Sequence, residues 1–310
     1  MSVIEPRSRA VVAALACAAA AAGCGLGAGE PSAGEVALSA TRDYGATAIV
    51  DTTVADPAPT DTVMRLLDAE AEITTRYGGG FVQSIEGIAA GTEDGRSLDW
   101  FFYVNGIESP VGSADATVEP GDRIWWDHHD WTDVMRVPAV VGSFPQPFAA
   151  AFEDDGLPIE VGCAAGAAGA CERAADALGA EGVDAEVVAM AESEAGERPR
   201  LLVGEVAALR SDRVGGLLER GPGASGVFAR PGDDGDEIAL LDERGDPVRG
   251  GELGLVAATA SGEEAPTWIV TGTDPDLVAE AAGLLSGGLL HDRFALAIDG
   301  GGVTTPVPVR

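Results

Sequence analysis

The chain contains no lysine; all 19 basic residues among its 310 are arginine. That excludes a Walker-type phosphate lysine and any Schiff-base lysine. Histidine is nearly absent, with His128, His129 and His291 alone, and no Gly-x-Ser-x-Gly elbow occurs. No nucleophile–base pair is apparent, so the chain reads as a non-enzyme. An acid-based hydrolase with paired carboxylates stays open, because 51 acidic residues always supply pairs. Positive charge is scarce, and the net charge of −32 repels nucleic acid and anionic lipid heads. No apolar run approaches the roughly 20 residues that a spanning helix needs. Cysteine is limited to four positions, Cys17, Cys24, Cys163 and Cys171.

What is present begins at the N-terminus. Arg7 and Arg9 precede an apolar, Ala-rich run from Ala10 to Ala22, and Ala21-Ala22-Gly23-Cys24 follows. The basic, apolar, small-residue order is that of a secretory signal peptide. The cysteine after Ala-Ala-Gly resembles the lipobox of bacterial lipoproteins, which implies removal of residues 1–23 and lipid on Cys24. The expected location is therefore extracytoplasmic, anchored to the cell membrane. Cleavage would also remove Cys17, which follows a poorer match to the lipobox. Cys163 and Cys171 are then an even pair in an exported chain, which reads as a disulfide. A metal site would need two further soft or imidazole ligands, and none lies nearby in sequence.

Residues 24–43, rich in Gly, Ala, Ser and Glu, read as a lipidated flexible tether. A first domain is expected over 44–131, with a strand at Ala46–Thr52. A helix capped by Thr60 or Asp61 should bury Val63, Met64, Leu66 and Leu67. Strands at Phe81–Ile85 and Trp100–Val104 follow, the second closed by the hairpin signal Asn105-Gly106. Residues 132–156, punctuated by Pro138, Pro145 and Pro147, read as a connector whose Phe144, Phe148 and Phe152 could pack on either domain. Residues 157–310 alternate strands and helices around a hairpin-rich middle. One helix is expected over Glu205–Leu218 and the last strand over Arg293–Ile298. The fold class is α+β: a small sheet domain followed by an α/β sandwich.

Asp61-Thr-Val-Met-Arg-Leu-Leu, Tyr77-Gly-Gly-Gly-Phe-Val-Gln-Ser-Ile-Glu-Gly-Ile, Trp100-Phe-Phe-Tyr-Val-Asn-Gly and Glu119-Pro-Gly-Asp-Arg-Ile succeed one another in the first domain. This series resembles the C-terminal β-domain of transcobalamin and intrinsic factor. The resemblance implies a ubiquitin-like β-grasp topology and, by analogy with carriers in which this domain helps cap cobalamin, a corrinoid ligand. The helical partner domain of those carriers has no counterpart here.

Nine of the sixteen aromatic residues lie between Tyr77 and Trp131. Strand alternation directs Trp100 and Phe102 to one face and Phe101 and Tyr103 to the other; Trp125 and Trp126 likewise diverge. One set can build the core. The other is covered by the second domain, exposed, or used to hold a planar ligand, and cover is the commoner outcome. Tyr77, Phe81, Trp100, Phe102, Tyr103, Trp125, Trp126 and Trp131 are thus the candidates for a ligand or interdomain surface. Asp127-His128-His129-Asp130 reads as a strand-end cap or solvated turn, because adjacent strand histidines face opposite sides and cannot share an ion. Gly221-Pro-Gly-Ala-Ser-Gly226 fits a dinucleotide fingerprint, but a helix precedes it and a strand follows, so it reads as a turn. Asp233–Glu237 reads as a hairpin turn, not a calcium loop. Neither metal nor cofactor is implied. Two functions follow: a lipid-anchored binding protein for a corrinoid or other planar molecule, or a protein-interaction module of the cell envelope, in either case with an envelope or transporter protein as a candidate partner.

Overall fold

A computed structural model describes residues 33–310, so the signal-peptide, Cys17 and Cys24 expectations lie outside the described residues. The first domain comprises β1 (Glu35–Arg42), β2 (Thr47–Ala55), α1 (Val63–Glu70), β3 (Ile73–Arg76), β4 (Phe81–Ile85), β5 (Ile88–Ala89), β6 (Gly91–Glu93), β7 (Arg96–Val104), β8 (Ile107–Glu108) and β9 (Arg123–Asp130). Its main sheet runs β2-β1-β9-β7-β6, with β8 paired to β7. β1 is antiparallel to β2 and parallel to β9, and β7 is antiparallel to β9. β3, β4 and β5 form a separate small sheet.

The tether expectation fails at its C-terminal end. Glu35–Arg42 is an interior strand, with Val36, Leu38 and Ala40 buried. Ala and Ser make it look like linker by composition, but small side chains suit a strand packed on both faces. α1 buries the four expected residues. Its N-cap is Thr62, whose side chain accepts from the Arg65 N–H, while Asp61 accepts from the Ala58 N–H. These residues pack with Trp100, Ile124 and Trp126 into one core.

The second domain comprises α2 (Phe148–Asp155), β10 (Ile159–Cys163), α3 (Ala168–Ala180), β11 (Ala185–Ala189), β12 (Arg200–Glu205), α4 (Val206–Leu209), α5 (Arg213–Glu219), α6 (Pro222–Ser225), β13 (Ala229–Pro231), β14 (Ile238–Leu241), β15 (Pro247–Gly251), β16 (Leu253–Thr259), β17 (Thr267–Gly272), α7 (Pro275–Ala282), α8 (Gly287–Leu290), β18 (Ala295–Asp299) and β19 (Thr304–Val307). Seven strands form a mixed sheet, β11-β10-β12-β17-β16-β18-β19, and β13-β14-β15 form a second, antiparallel one. The first four strands are parallel to their neighbours and the rest antiparallel.

Several local expectations change. The single helix over Glu205–Leu218 is two, α4 and α5, because Asp212 caps the second: its side chain accepts from the Val214 N–H. The Gly221–Gly226 stretch is one helical turn starting with proline. Asp233–Glu237 does lie in the loop of an antiparallel hairpin. The connector is not loose. Val137, Val140, Val141, Phe144 and Phe148 are buried, and α2 occupies its end. Phe144 and Phe148 both pack on Trp268 in the second domain. Cys163, at the end of β10, and Cys171, in α3, form a disulfide with Cα atoms 5.8 Å apart.

Candidate functional site

The cross-strand register of β7 and β9 sorts the aromatic residues. Phe102 lies opposite Trp126 and Trp100 opposite His128. These four share the face that packs toward the first-domain core, with ring centroids 4.9 Å and 5.0 Å apart. The Trp100 indole N–H donates to the Ile88 carbonyl. Trp100 and Trp126 are buried in the first-domain core with the apolar face of α1, and Phe102 packs partly buried against it, which corrects their assignment to a ligand or interdomain surface.

The opposite face carries Phe101, Tyr103 and Trp125, and the second domain covers it. Phe294 stands edge-on to Trp125 and Tyr103. Tyr44 meets Phe228 and Phe294 edge-on. His129 is stacked between Tyr44 at 4.6 Å and Phe101 at 4.5 Å. Adding a Cβ to Gly45 would bring it within 1.9 Å of the Asp292 carbonyl oxygen, so only glycine lets the domains approach there.

Asp127–Asp130 is buried, not solvated. The Asp127 carboxylate accepts from the backbone N–H groups of Tyr44 at 3.0 Å and Gly45 at 2.8 Å, and from the Thr41 hydroxyl. Asp43, Tyr44 and Gly45 all have positive φ, which turns the two N–H groups toward one anion. His129 Nδ1 lies 2.9 Å from the same carboxylate. The Tyr44 hydroxyl donates to the Asp130 carbonyl at 2.6 Å. Burial raises the phenol pKa values of Tyr44 and Tyr103, which keeps both neutral. A charged-looking sequence is thus a satisfied polar layer that joins β1, β9 and the second domain. His128 and His129 face opposite ways, as alternation requires.

Three of the eight candidates remain: Tyr77, Phe81 and Trp131. They line one open cleft of about 370 Å³ with Arg76, Gln83, Leu98 and Asp99. Tyr77 is 87% exposed. Its φ of 54° and the two positive-φ glycines after it hold the ring out from the turn between β3 and β4. Phe81 meets it edge-on at 6.3 Å. The Trp131 backbone, just after β9, is fixed by its main-chain N–H, which donates to the Ser97 carbonyl. Burial raises the Asp99 pKa, against the Trp100 N–H donated to its carboxylate. Arg76 and Asp99 escaped the sequence reading, although each directly precedes an aromatic candidate. Among the described residues, no group of three His, Cys, Asp or Glu is placed to hold a metal ion.

Residues 60–130 match a family model described as "Domain of unknown function (DUF4430)". The matched segment contains every cleft residue named above except Trp131. No curated protein matches the chain. A solved structure that is similar, a "putative metal binding protein" from Ruminococcus gnavus ATCC 29149, shares 11% identity over 31% of this chain and 97% of its own, with a TM-score of 0.25.

Proposed function

We propose that this protein is an extracytoplasmic binding protein, lipid-anchored through Cys24, whose aromatic cleft takes a planar ligand. The observation that carries the reading is the convergence of Tyr77, Phe81 and Trp131, the candidate aromatic residues left over after both cores are built. Aromatic rings offer a planar molecule large contact at little cost in side-chain entropy. Arg76, Gln83 and Asp99 supply the few polar groups that orient a ligand in such a site.

A central parallel pair β1–β9, flanked by β2 and β7 and crossed by α1, supports a β-grasp reading of the first domain. That supports the likeness to the transcobalamin β-domain and makes a corrinoid the first ligand to try. The cleft is open, so it holds an edge of a large ring and leaves the rest for an envelope or transporter protein. We read the role as binding without catalysis. Isothermal titration of the soluble chain with cobalamin and cobinamide is the test. Saturable heat that is lost in Tyr77→Ala is expected; no heat at high micromolar ligand would remove the corrinoid version.

A further inference from the structure

A second cleft, of about 550 Å³, abuts the first across β6, sharing Gly91, Thr92 and Leu98 with it. Arg42, Arg96 and Arg310 line it together with His128, Asp43 and Glu93. Three of only 19 cations thus meet in a chain of net charge −32. They come from β1, the start of β7 and Arg310 beyond β19, so the folded junction of the two domains assembles them. Burial lowers the His128 pKa, so the positive charge of the cleft belongs to arginine. Asp43 and Glu93 line the cleft with the three guanidinium groups, and Glu243 pairs with Arg96.

The ion pairs of these three arginines are longer than those of five arginines elsewhere. Arg42 stands 3.7 Å from Asp43, Arg310 3.3 Å from the same Asp43, and Arg96 3.6 Å from Glu243. Elsewhere Arg136, Arg198, Arg200, Arg210 and Arg249 reach their carboxylates at 2.8–2.9 Å. A guanidinium carries five N–H donors suited to bidentate contact with phosphate or carboxylate oxygens. In this cleft the Asp43 carboxylate is shared at 3.7 and 3.3 Å by Arg42 and Arg310, Arg310 also donates to the Asp43 carbonyl, and the arginine side chains are 33–49% exposed.

We propose that the Arg42–Arg96–Arg310 cleft is an anion site for a small molecule bearing a phosphate or several carboxylates. The acidic surface elsewhere repels such a molecule, so binding confined to one place is expected. Isothermal titration of the full soluble chain with pyrophosphate and with citrate, at fixed ionic strength, tests it. At least one anion should bind saturably, and the tighter of the two names the acid group. Arg96→Gln and Arg42→Gln should each weaken it about tenfold, with circular dichroism unchanged. Arg65→Gln, outside the cleft, and Tyr77→Ala should leave it unaltered. Absence of saturable heat with both anions up to about 10 mM, or an Arg96→Gln variant that binds like the parent, overturns the proposal. Either failure leaves the aromatic-cleft reading standing, because that depends on Tyr77 and Trp131.

Discussion

Phe294 of the second domain stands edge-on to Trp125 of the first, ring centroids 5.1 Å apart and planes at 75°. The same ring touches Tyr44, Tyr103 and His129. One phenyl group is thus seated among four rings of the other domain. Phe294→Ala should cost about 3–5 kcal/mol, the range for a buried aromatic truncated to alanine. Chemical denaturation followed by tryptophan fluorescence measures it. A loss under about 1 kcal/mol would mean that the domains do not stabilise each other here.

Asp292 lies in the same interface and accepts from the Ser39 hydroxyl at 3.0 Å. Burial raises its pKa, and the negative charges of Asp51 and Asp127 add to this, while His291 and the Ser39 bond oppose it. The unfolded chain therefore gives up this proton at lower pH than the folded one. The group costs stability increasingly as pH rises from its ordinary value toward its folded value, and the full cost is present above the latter. Asp292→Asn keeps an acceptor for Ser39 and removes the charge. Its melting temperature at pH 7 should exceed the parent's, and the gap should close toward about pH 4. Thermal melts across that range decide; a gap independent of pH would refute the assignment.

The disulfide between Cys163 and Cys171 ties β10 to α3. The short loop it closes is worth about 2–3 kcal/mol in the chain-entropy model. Reduction should lower the melting temperature while the far-ultraviolet dichroism persists. Protein purified under non-reducing conditions should show no alkylatable thiol from this pair; two labelled cysteines would contradict the bond.

Cys24→Ala tests the anchor. The variant precursor should remain unacylated and leave the membrane fraction. Retention on membranes after a salt wash would rule out the lipoprotein reading.

Much of the fold is legible in local sequence, and the failures share a cause. Asn105-Gly106 turns β7 into β8 with both residues at positive φ, as a two-residue hairpin requires. The divergence of Trp125 from Trp126 follows from alternation alone. Cys163 and Cys171 pair, as an even pair of cysteines suggested. β1 escaped because its alternation of Val36, Leu38 and Ala40 is short and interleaved with Ala and Ser, which carry little strand signal. Asp127–Asp130 reads as a strand-end cap or solvated turn because the groups that cover it, Thr41, Tyr44, Phe101 and Phe294, lie far away in sequence. The cleft residues Tyr77 and Trp131, and the arginines at 42, 96 and 310, are each ordinary alone. Their meeting depends on strand order, which no local pattern encodes.

The central claim is that Trp131, with Tyr77 and Phe81, meets the ligand while the remaining tryptophans are committed to packing. Trp100, Trp125, Trp126 and Trp268 are at most 5% exposed. Tryptophan fluorescence during a cobinamide titration of the parent and of Trp131→Phe tests this most directly, with absorbance correction by a free-tryptophan control. Saturable quenching in the parent, with most of its amplitude lost in the variant, is the predicted result. Equal quenching in both, or none in either, would contradict the account.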